Sequence, residues 1–575
     1  MSTIRNDLVY AAYYRAITLI DYNIYDNVDK RHKFKEKIIL ADKSLTKDEK
    51  SEVIKFLKED HDYNKILFNE GKRRICENCQ QKCLATLYCE YCIRNYLKSK
   101  FTNWTSGNND IDDLIQNCQV KSLSPDRIIE WIPYNNLQNI KYQTKGGCSE
   151  IYTSNWINGN YNKWNSKEKQ LNRFGTCEVI LKKLENVESA NRSWFDEAKS
   201  HLNIANKWVD STVSCYGLTR DPLDDNYMLV MEKLDIDLRE YLQQNHIQLT
   251  WKEKIQIIVN IVDALSKIHN ENVIHRDLHS GNILYYQYIN SWFISDFGFC
   301  GPADKPLDCI YGNLPYIAPE VIVGKEYAKA SDIYSVAMLM WEISSGQRPF
   351  ANYENEYNLA MDIVNGNRPK IVSGTPSKYK ELMKQCWDAD PTKRPDINAV
   401  WDKIREINNL YYQDTLNNNS VFKRFLRLFK KTNNNLNKLS DFEIMSYYYA
   451  SSKLSTSKIY QFDNLPEPRN ATEEELEAYH SRPYSFNIPD DIDDFNKSNH
   501  STSNKSNIFK GNSKPLSKVF QKLRMESRDN NQNKYRGEIK KQQVNKQGII
   551  NDEIYDSANF HSEEQDEFEI PDDGF

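Results

Sequence analysis

Val273-Ile274-His275-Arg276-Asp277-Leu278-His279-Ser280-Gly281-Asn282 sets a carboxylate and an amide five residues apart, and Ser295-Asp296-Phe297-Gly298 adds a second carboxylate nineteen residues beyond Asp277. The sequence around this stretch reads as helical. Ile255, Ile258, Val262, Leu265 and Ile268 make a stripe at helical spacing, and Asp332 to Ser344 is apolar nearly all round, as expected of a buried helix. Upstream, between Ile140 and Leu184, short β-branched and apolar runs separated by turn residues predict an antiparallel hairpin sheet. The expectation is an α+β, bilobal fold in which a small β lobe with one helix precedes a larger α-helical lobe.

The stretch matches H-R-D-x-x-x-x-N, and in that pattern the sequence resembles the eukaryotic protein kinases. The resemblance implies that Asp277 orients a substrate hydroxyl and accepts its proton. It also implies that Asn282 and Asp296 hold the Mg2+ ions bridging the phosphates of ATP. Val179-Ile180-Leu181-Lys182 looks like the strand lysine that neutralises those phosphates, and Glu197 in Trp194-Phe195-Asp196-Glu197 like its helix partner. By the same resemblance Ile151, Met231 and Glu232 line the nucleotide site.

The glycine-rich loop departs from the family pattern. Thr144-Lys145-Gly146-Gly147-Cys148-Ser149 keeps Gly146 and Gly147, but Thr144 and Ser149 stand where the outer glycines are expected. Each replacement restricts a backbone that must approach phosphate closely, which predicts weaker nucleotide binding rather than none.

Downstream, Ala318-Pro319-Glu320, Asp332, Cys386-Trp387, Asp390-Pro391 and Arg394-Pro395 continue the family order. The resemblance pairs Glu320 with Arg394 and has Asp332 brace the catalytic-loop backbone. The Cys-Trp and Arg-Pro signature resembles tyrosine kinases and the tyrosine-kinase-like branch of serine/threonine kinases. His279 and Asn313 replace the lysine and threonine usual in serine/threonine kinases, whereas Leu314-Pro315-Tyr316-Ile317 lacks the tryptophan usual in tyrosine kinases. That last feature favours serine/threonine specificity. Phe299 to Pro315 holds no serine or threonine, so Tyr311 is its only hydroxyl and a candidate for regulation.

Cys76-x-x-Cys79 and Cys89-x-x-Cys92, with Cys83 between them, are spaced for two tight turns converging on one tetrahedral Zn2+, against an alternative of buried reduced thiols. Together with Trp104-Thr105-Ser106-Gly107-Asn108, this segment resembles a lineage-expanded group of fungal kinases. Lys72, Arg73, Arg74, Lys82 and Arg94 surround the cysteines, but a nucleic-acid partner is not expected.

The remaining sequence bounds the organisation. With 575 residues, 27% charged and 39% hydrophobic, and a net charge of -5, the chain can build a large core and has no global pull toward nucleic acid or anionic membrane. Thr46-Lys47-Asp48-Glu49 resembles a capping box before Val53, Ile54 and Leu57 and predicts a short helix. No secretory signal or apolar run of ~18 residues is present, so twelve cysteines imply a reducing, cytoplasmic location. Five parts are expected: a helical or irregular segment over 1–70, the cysteine module over 71–98, a connection over 99–133, the kinase domain over 134–408, and a largely disordered Asn-, Ser-, Lys- and Glu-rich tail over 409–575. Phe422, Phe425, Leu426 and Phe429 share one face of a basic helical pattern that could touch a membrane or a partner, although packing back on the kinase is favoured. The expected partners are a protein substrate and regulatory proteins held by the flanks. A scaffold with the same fold and no activity is the alternative.

Overall fold

The computed structural model describes residues 4–20, 24–145, 149–184, 194–208, 210–302, 310–417 and 456–481. The expectations on Gly146, Gly147 and the face from Phe422 to Phe429 lie outside them.

Met228, Leu229, Val230 and Met231 are buried in succession along Tyr227–Glu232, and Val179, Leu181 and Lys182 are buried along Cys177–Lys183, which suits these to be the central strands of a six-stranded sheet. Its order is Glu130–Trp131, Cys215–Arg220, Tyr227–Glu232, Cys177–Lys183, Glu150–Trp156, Leu137–Lys145. The neighbours pair antiparallel except at one edge, where Glu130–Trp131 runs parallel to Cys215–Arg220. That edge strand precedes residue 134. Gly217, at φ +148°, makes the pairing feasible, because a Cβ there would meet the Glu130 carbonyl oxygen at 1.8 Å.

Helix Trp194–Lys207 packs behind this sheet. Ala198 and Leu202 on it share a core with Ile111 and Ile115 of helix Asn109–Val120, so the connecting segment braces the β lobe from outside. The larger lobe is built around helix Trp251–Asn270, started by a Thr250/Glu253 capping box, and the almost wholly buried helix Lys329–Ser345. Gly346 ends the latter in a left-handed cap at φ 72°.

Before the lobes, helices Asn6–Thr18, Val28–Ala41 and Lys47–Leu67 enclose a small core of Val9, Ala12, Ala16, Ile39, Val53 and Leu57. The capping box at Thr46 and Glu49 is present, but its helix runs for 21 residues. Buried Asp62, Tyr63 and Lys65 carry it through a charged stretch that masked its length in the sequence.

The tail contains structure that composition did not reveal. Lys458–Tyr460 pairs antiparallel with Ile310–Gly312, and Thr472 caps a helix over Glu473–His480. Helix Ile397–Asn417 also runs past residue 408. Among the described residues no helix is long and apolar enough to cross a membrane.

Candidate active site

Strand register brings the nucleotide-side residues together. Ile151 lies opposite Lys182 on one side of the Cys177–Lys183 strand, and on the other Met231 faces Ile180 and Glu232 faces Val179. Met231 is buried, and burial raises the Glu232 carboxyl above its ordinary range. The side chain of Lys182 is 7% exposed, and its Nζ stands 2.8 Å from Glu197 Oε1 and 2.6 Å from Asp296 Oδ1. A buried ammonium needs such partners, because desolvation alone would drive off its proton. The pairs therefore join the β-lobe strand, its helix and the turn after Ile294.

A tight hairpin positions the two cation-side residues. Ile283–Tyr286 pairs with Ser291–Ile294, Ile283 opposite Ile294, which sets Asn282 and Ser295 at the same end. Ser295 donates to the Asn282 carbonyl from its backbone N at 2.9 Å and from its Oγ at 3.0 Å. Asn282 Nδ2 donates to the Asp277 carbonyl at 2.8 Å, committing the amide nitrogen inward. The donor set of Asn282 amide oxygen and Asp296 carboxylate is made of hard oxygens, which suit magnesium.

The loop carrying Asp277 is held by its backbone. Asp332 accepts from the His275 N–H at 2.8 Å, the Arg276 N–H at 3.0 Å and the His269 ring at 2.8 Å. Burial raises the Asp332 carboxyl, but the His269 hydrogen bond and the neighbouring imidazoles outweigh it and hold the group below its ordinary value. Arg276 and Asp296 have φ of 69° and 59°. Such left-handed conformations cost on the order of 1–3 kcal/mol for non-glycine residues and persist only where surrounding contacts enforce them. Further down, Arg394 forks onto Glu320 at 2.8 and 2.7 Å, both side chains buried.

Sequence reasoning passed over His201 and Ser457 here, and met His279 only as a departure from the serine/threonine pattern. His201 accepts the Phe297 N–H at 3.2 Å and fixes the turn after Asp296. His279 Nδ1 accepts the Gly281 N–H at 3.0 Å. Ser457, from the tail, donates from Oγ to Asp277 Oδ1 at 2.8 Å. The tail did carry one legible signal, the Thr472-to-Glu475 spacing of a capping box. Tyr311 is buried against Phe299, and Tyr327 bonds both its N–H and its carbonyl, so its regulatory role would require this strand to open first.

The cysteine module forms a second site. Strands Arg74–Ile75 and Lys82–Cys83 and helix Glu90–Lys98 converge the Sγ atoms of Cys76, Cys79, Cys89 and Cys92 within 4.8 Å of one another. Cys76 to Cys92 is 3.7 Å and Cys79 to Cys89 is 3.6 Å. A zinc tetrahedron with Zn–S near 2.3 Å has edges of about 3.8 Å, so the four thiols fit that ion. Burial raises the Cys76 thiol, but the backbone of Cys79 and Asn78 and the adjoining thiols outweigh it and lower it to about 7. Arg74 is spent on the carbonyls of Ala85 and Tyr88, and Arg94 on that of Ser122. Every cysteine among the described residues is a free thiol.

Residues 145–404, which include the site around Lys182, Asp277 and Asp296, match the family model for protein tyrosine and serine/threonine kinase. The chain therefore carries a protein kinase domain. It is 32% identical over 183 residues to a serine/threonine-protein kinase/receptor of Acanthamoeba polyphaga mimivirus, covering 31% of this chain and 11% of that protein. A LIM domain-containing serine/threonine-protein kinase of Dictyostelium discoideum is 31% identical over 172 residues, 30% of this chain and 26% of its own length. A dual specificity protein kinase of the same organism is 31% identical over 191 residues, 29% of this chain and 30% of its own. The chain thus spans less than a third of the length of these relatives.

Proposed function

We propose that this chain is an ATP-dependent protein kinase that phosphorylates serine and threonine hydroxyls of protein substrates in intracellular signalling. The single observation that carries the reading is the run of ion pairs from Glu197 through Lys182 to Asp296, closed while Asp277 and Asn282 are braced from below. A scaffold that had lost catalysis would have no need of a buried lysine between two carboxylates.

In this reading Lys182 neutralises the phosphates next to the adenosine, and Glu197 keeps its ammonium in place. Ile151, Met231 and Glu232 line the base, and Gly146 and Gly147 admit the phosphates. Asn282 and Asp296 would hold magnesium, which when bound spreads the charge of the transferring group. Asp277 orients the acceptor hydroxyl and takes its proton. His279, where serine/threonine kinases usually have lysine, offers a neutral hydrogen-bond donor beside Asp277, their Nε2 and Oδ1 atoms being 3.7 Å apart.

Cys386-Trp387 and Arg394-Pro395 support the tyrosine-kinase-like branch, and the names of the relatives support serine/threonine specificity. Cys76, Cys79, Cys89 and Cys92 would hold zinc as a structural ion. The free thiols fit a cytoplasmic location, and the flanking modules would hold regulatory proteins.

Purified chain incubated with Mg-ATP and a mixed peptide substrate, beside an Asp277→Asn control, tests the activity. Phosphate on serine or threonine that the control lacks is expected; no phosphate in either sample, together with no ATP binding, overturns it in favour of the scaffold.

A further inference from the structure

We propose that Ser457 is a phosphate acceptor of this chain's own catalytic centre, presented in cis by the segment over 456–481. The proposal rests on the kinase reading above.

The hydroxyl of Ser457 is buried at the carboxylate assigned as base. Its Oγ is 2.8 Å from Asp277 Oδ1 and 3.0 Å from His279 Nε2. The direction of these bonds follows from a third. His279 Nδ1 accepts the Gly281 N–H, so the neutral ring carries its proton on Nε2 and donates it to Ser457. One lone pair of Oγ is thereby engaged, its single proton points at Asp277, and its second lone pair remains for an electrophile. A serine that merely filled space would not have its proton aimed at this carboxylate.

Backbone pairing fixes which residue arrives there. Gly312 lies opposite Lys458, Tyr311 opposite Ile459 and Ile310 opposite Tyr460, so the tail adds a strand to the segment leading into the Ala318-Pro319-Glu320 turn. Adding a strand to a sheet edge is a general way to seat an extended peptide. A slip of one residue would turn every side chain to the opposite face and withdraw Ser457. The register is pinned by Lys458 on Glu356 and by Tyr460, buried and stacked on Phe462.

Beyond the strand, the tail is docked along the α lobe. Arg469 N donates to the Val364 carbonyl at 3.1 Å, Asn470 bridges the Ala389 N–H and Asp388, and His480 meets the Arg368 carbonyl at 2.9 Å. Docking on the same chain makes encounter unimolecular, with an effective concentration far above that of a free peptide.

The transfer balances simply. Ser457 Oγ forms a bond to the γ-phosphorus of ATP as its proton passes to Asp277. The bond from that phosphorus to the β,γ-bridging oxygen breaks, its electron pair leaves on ADP, and the proton is then released to solvent. The product carries a charge of about −2 beside Asp277, a like-charge contact that favours departure of the strand. Unmodified tail therefore occupies the position of an external substrate, and its modification vacates it.

Phosphatase-treated full-length chain, incubated with Mg-ATP and an external serine/threonine peptide over a 100-fold range of protein concentration, tests this by phosphosite mapping. Phosphate at Ser457, with a rate constant independent of protein concentration and absent from Ser457→Ala and Asp277→Asn, is expected, as is a lag in peptide phosphorylation that shortens once Ser457 is modified. Peptide phosphorylated while Ser457 stays bare overturns the proposal and leaves the kinase reading intact. A Ser457 rate rising in proportion to concentration overturns presentation in cis. Phosphate on neither Ser457 nor peptide removes the kinase reading and this proposal with it.

Discussion

The main chain of Arg469 runs against Gly366 where no side chain fits: a Cβ on Gly366 would lie 2.4 Å from the Arg469 carbonyl oxygen and 2.2 Å from the Ala471 nitrogen. Gly366 also sits at φ +89°, which an alanine adopts only under strain. Gly366→Ala is therefore expected to cost roughly 1–3 kcal/mol and to loosen the docked tail. Amide exchange over 458–480 should rise, while exchange of the Trp251–Asn270 helix stays slow. Unchanged protection of the tail would contradict this contact.

Lys182 is held by two carboxylates from different elements, so its loss should lower activity and, by leaving the buried Glu197 carboxylate without its cation, stability as well. Lys182→Met is expected to lower phosphate transfer by on the order of 10²–10³-fold, the scale of one lost electrostatic stabiliser. Glu197→Gln, which frees the lysine without removing it, should lose less. Steady-state kinetics beside a thermal melt separate the two effects.

The Glu320–Arg394 pair is bidentate and buried. Removing one partner strands the other charge, and Arg394→Ala is expected to destabilise by about 3–5 kcal/mol. Urea titration of the variant should show that shift in midpoint without a matching change in slope.

Four of the five clustered thiols converge on one site, whereas Cys83 groups with Cys89 and Glu90 and faces the Ala85 carbonyl at 4.0 Å. Chain purified with zinc should hold a single ion that Cys83→Ser retains and Cys89→Ser loses, read by elemental analysis. Chelation should then unprotect the amides of 74–92. Loss of the ion in Cys83→Ser would reassign the ligands.

Hydrogen bonds from Arg5 and the Thr46 N–H hold the Glu49 carboxyl at about 2, against an ordinary 4.5. Between these values the unfolded chain binds the proton and the folded chain does not. The contribution of Glu49 is therefore full above pH 4.5 and is lost as pH falls toward 2. Arg5 is half exposed, so salt should weaken the effect. Protection at residues 46–50, measured relative to the intrinsic exchange rate at each pH, should fall on acidification in the wild type and less so in Arg5→Ala.

Local patterns were readable where one residue's chemistry suffices. Asp277, Asn282, Asp296 and Lys182 announce themselves by order and spacing, and the capping box at Thr46 by its three-residue reach. The same box at Thr472 went unread because the polar composition around it argued against order. His201 acts through an atom far along the chain, which no spacing rule reports, and the bracing by Asp332 was legible only through the family resemblance.

By itself the sequence carried the expectation of a β lobe before an α lobe, through periodicity, and the ordered motifs in which it resembles the protein kinases, because these rest on short stretches of chain. Only the tertiary structure decided that Glu130–Trp131 enters the sheet, that Cys76, Cys79, Cys89 and Cys92 converge while Cys83 groups with Cys89 and Glu90, and that Ser457 reaches Asp277. Those outcomes depend on which surfaces meet across more than a hundred residues of chain, a question of packing and register that local composition does not encode.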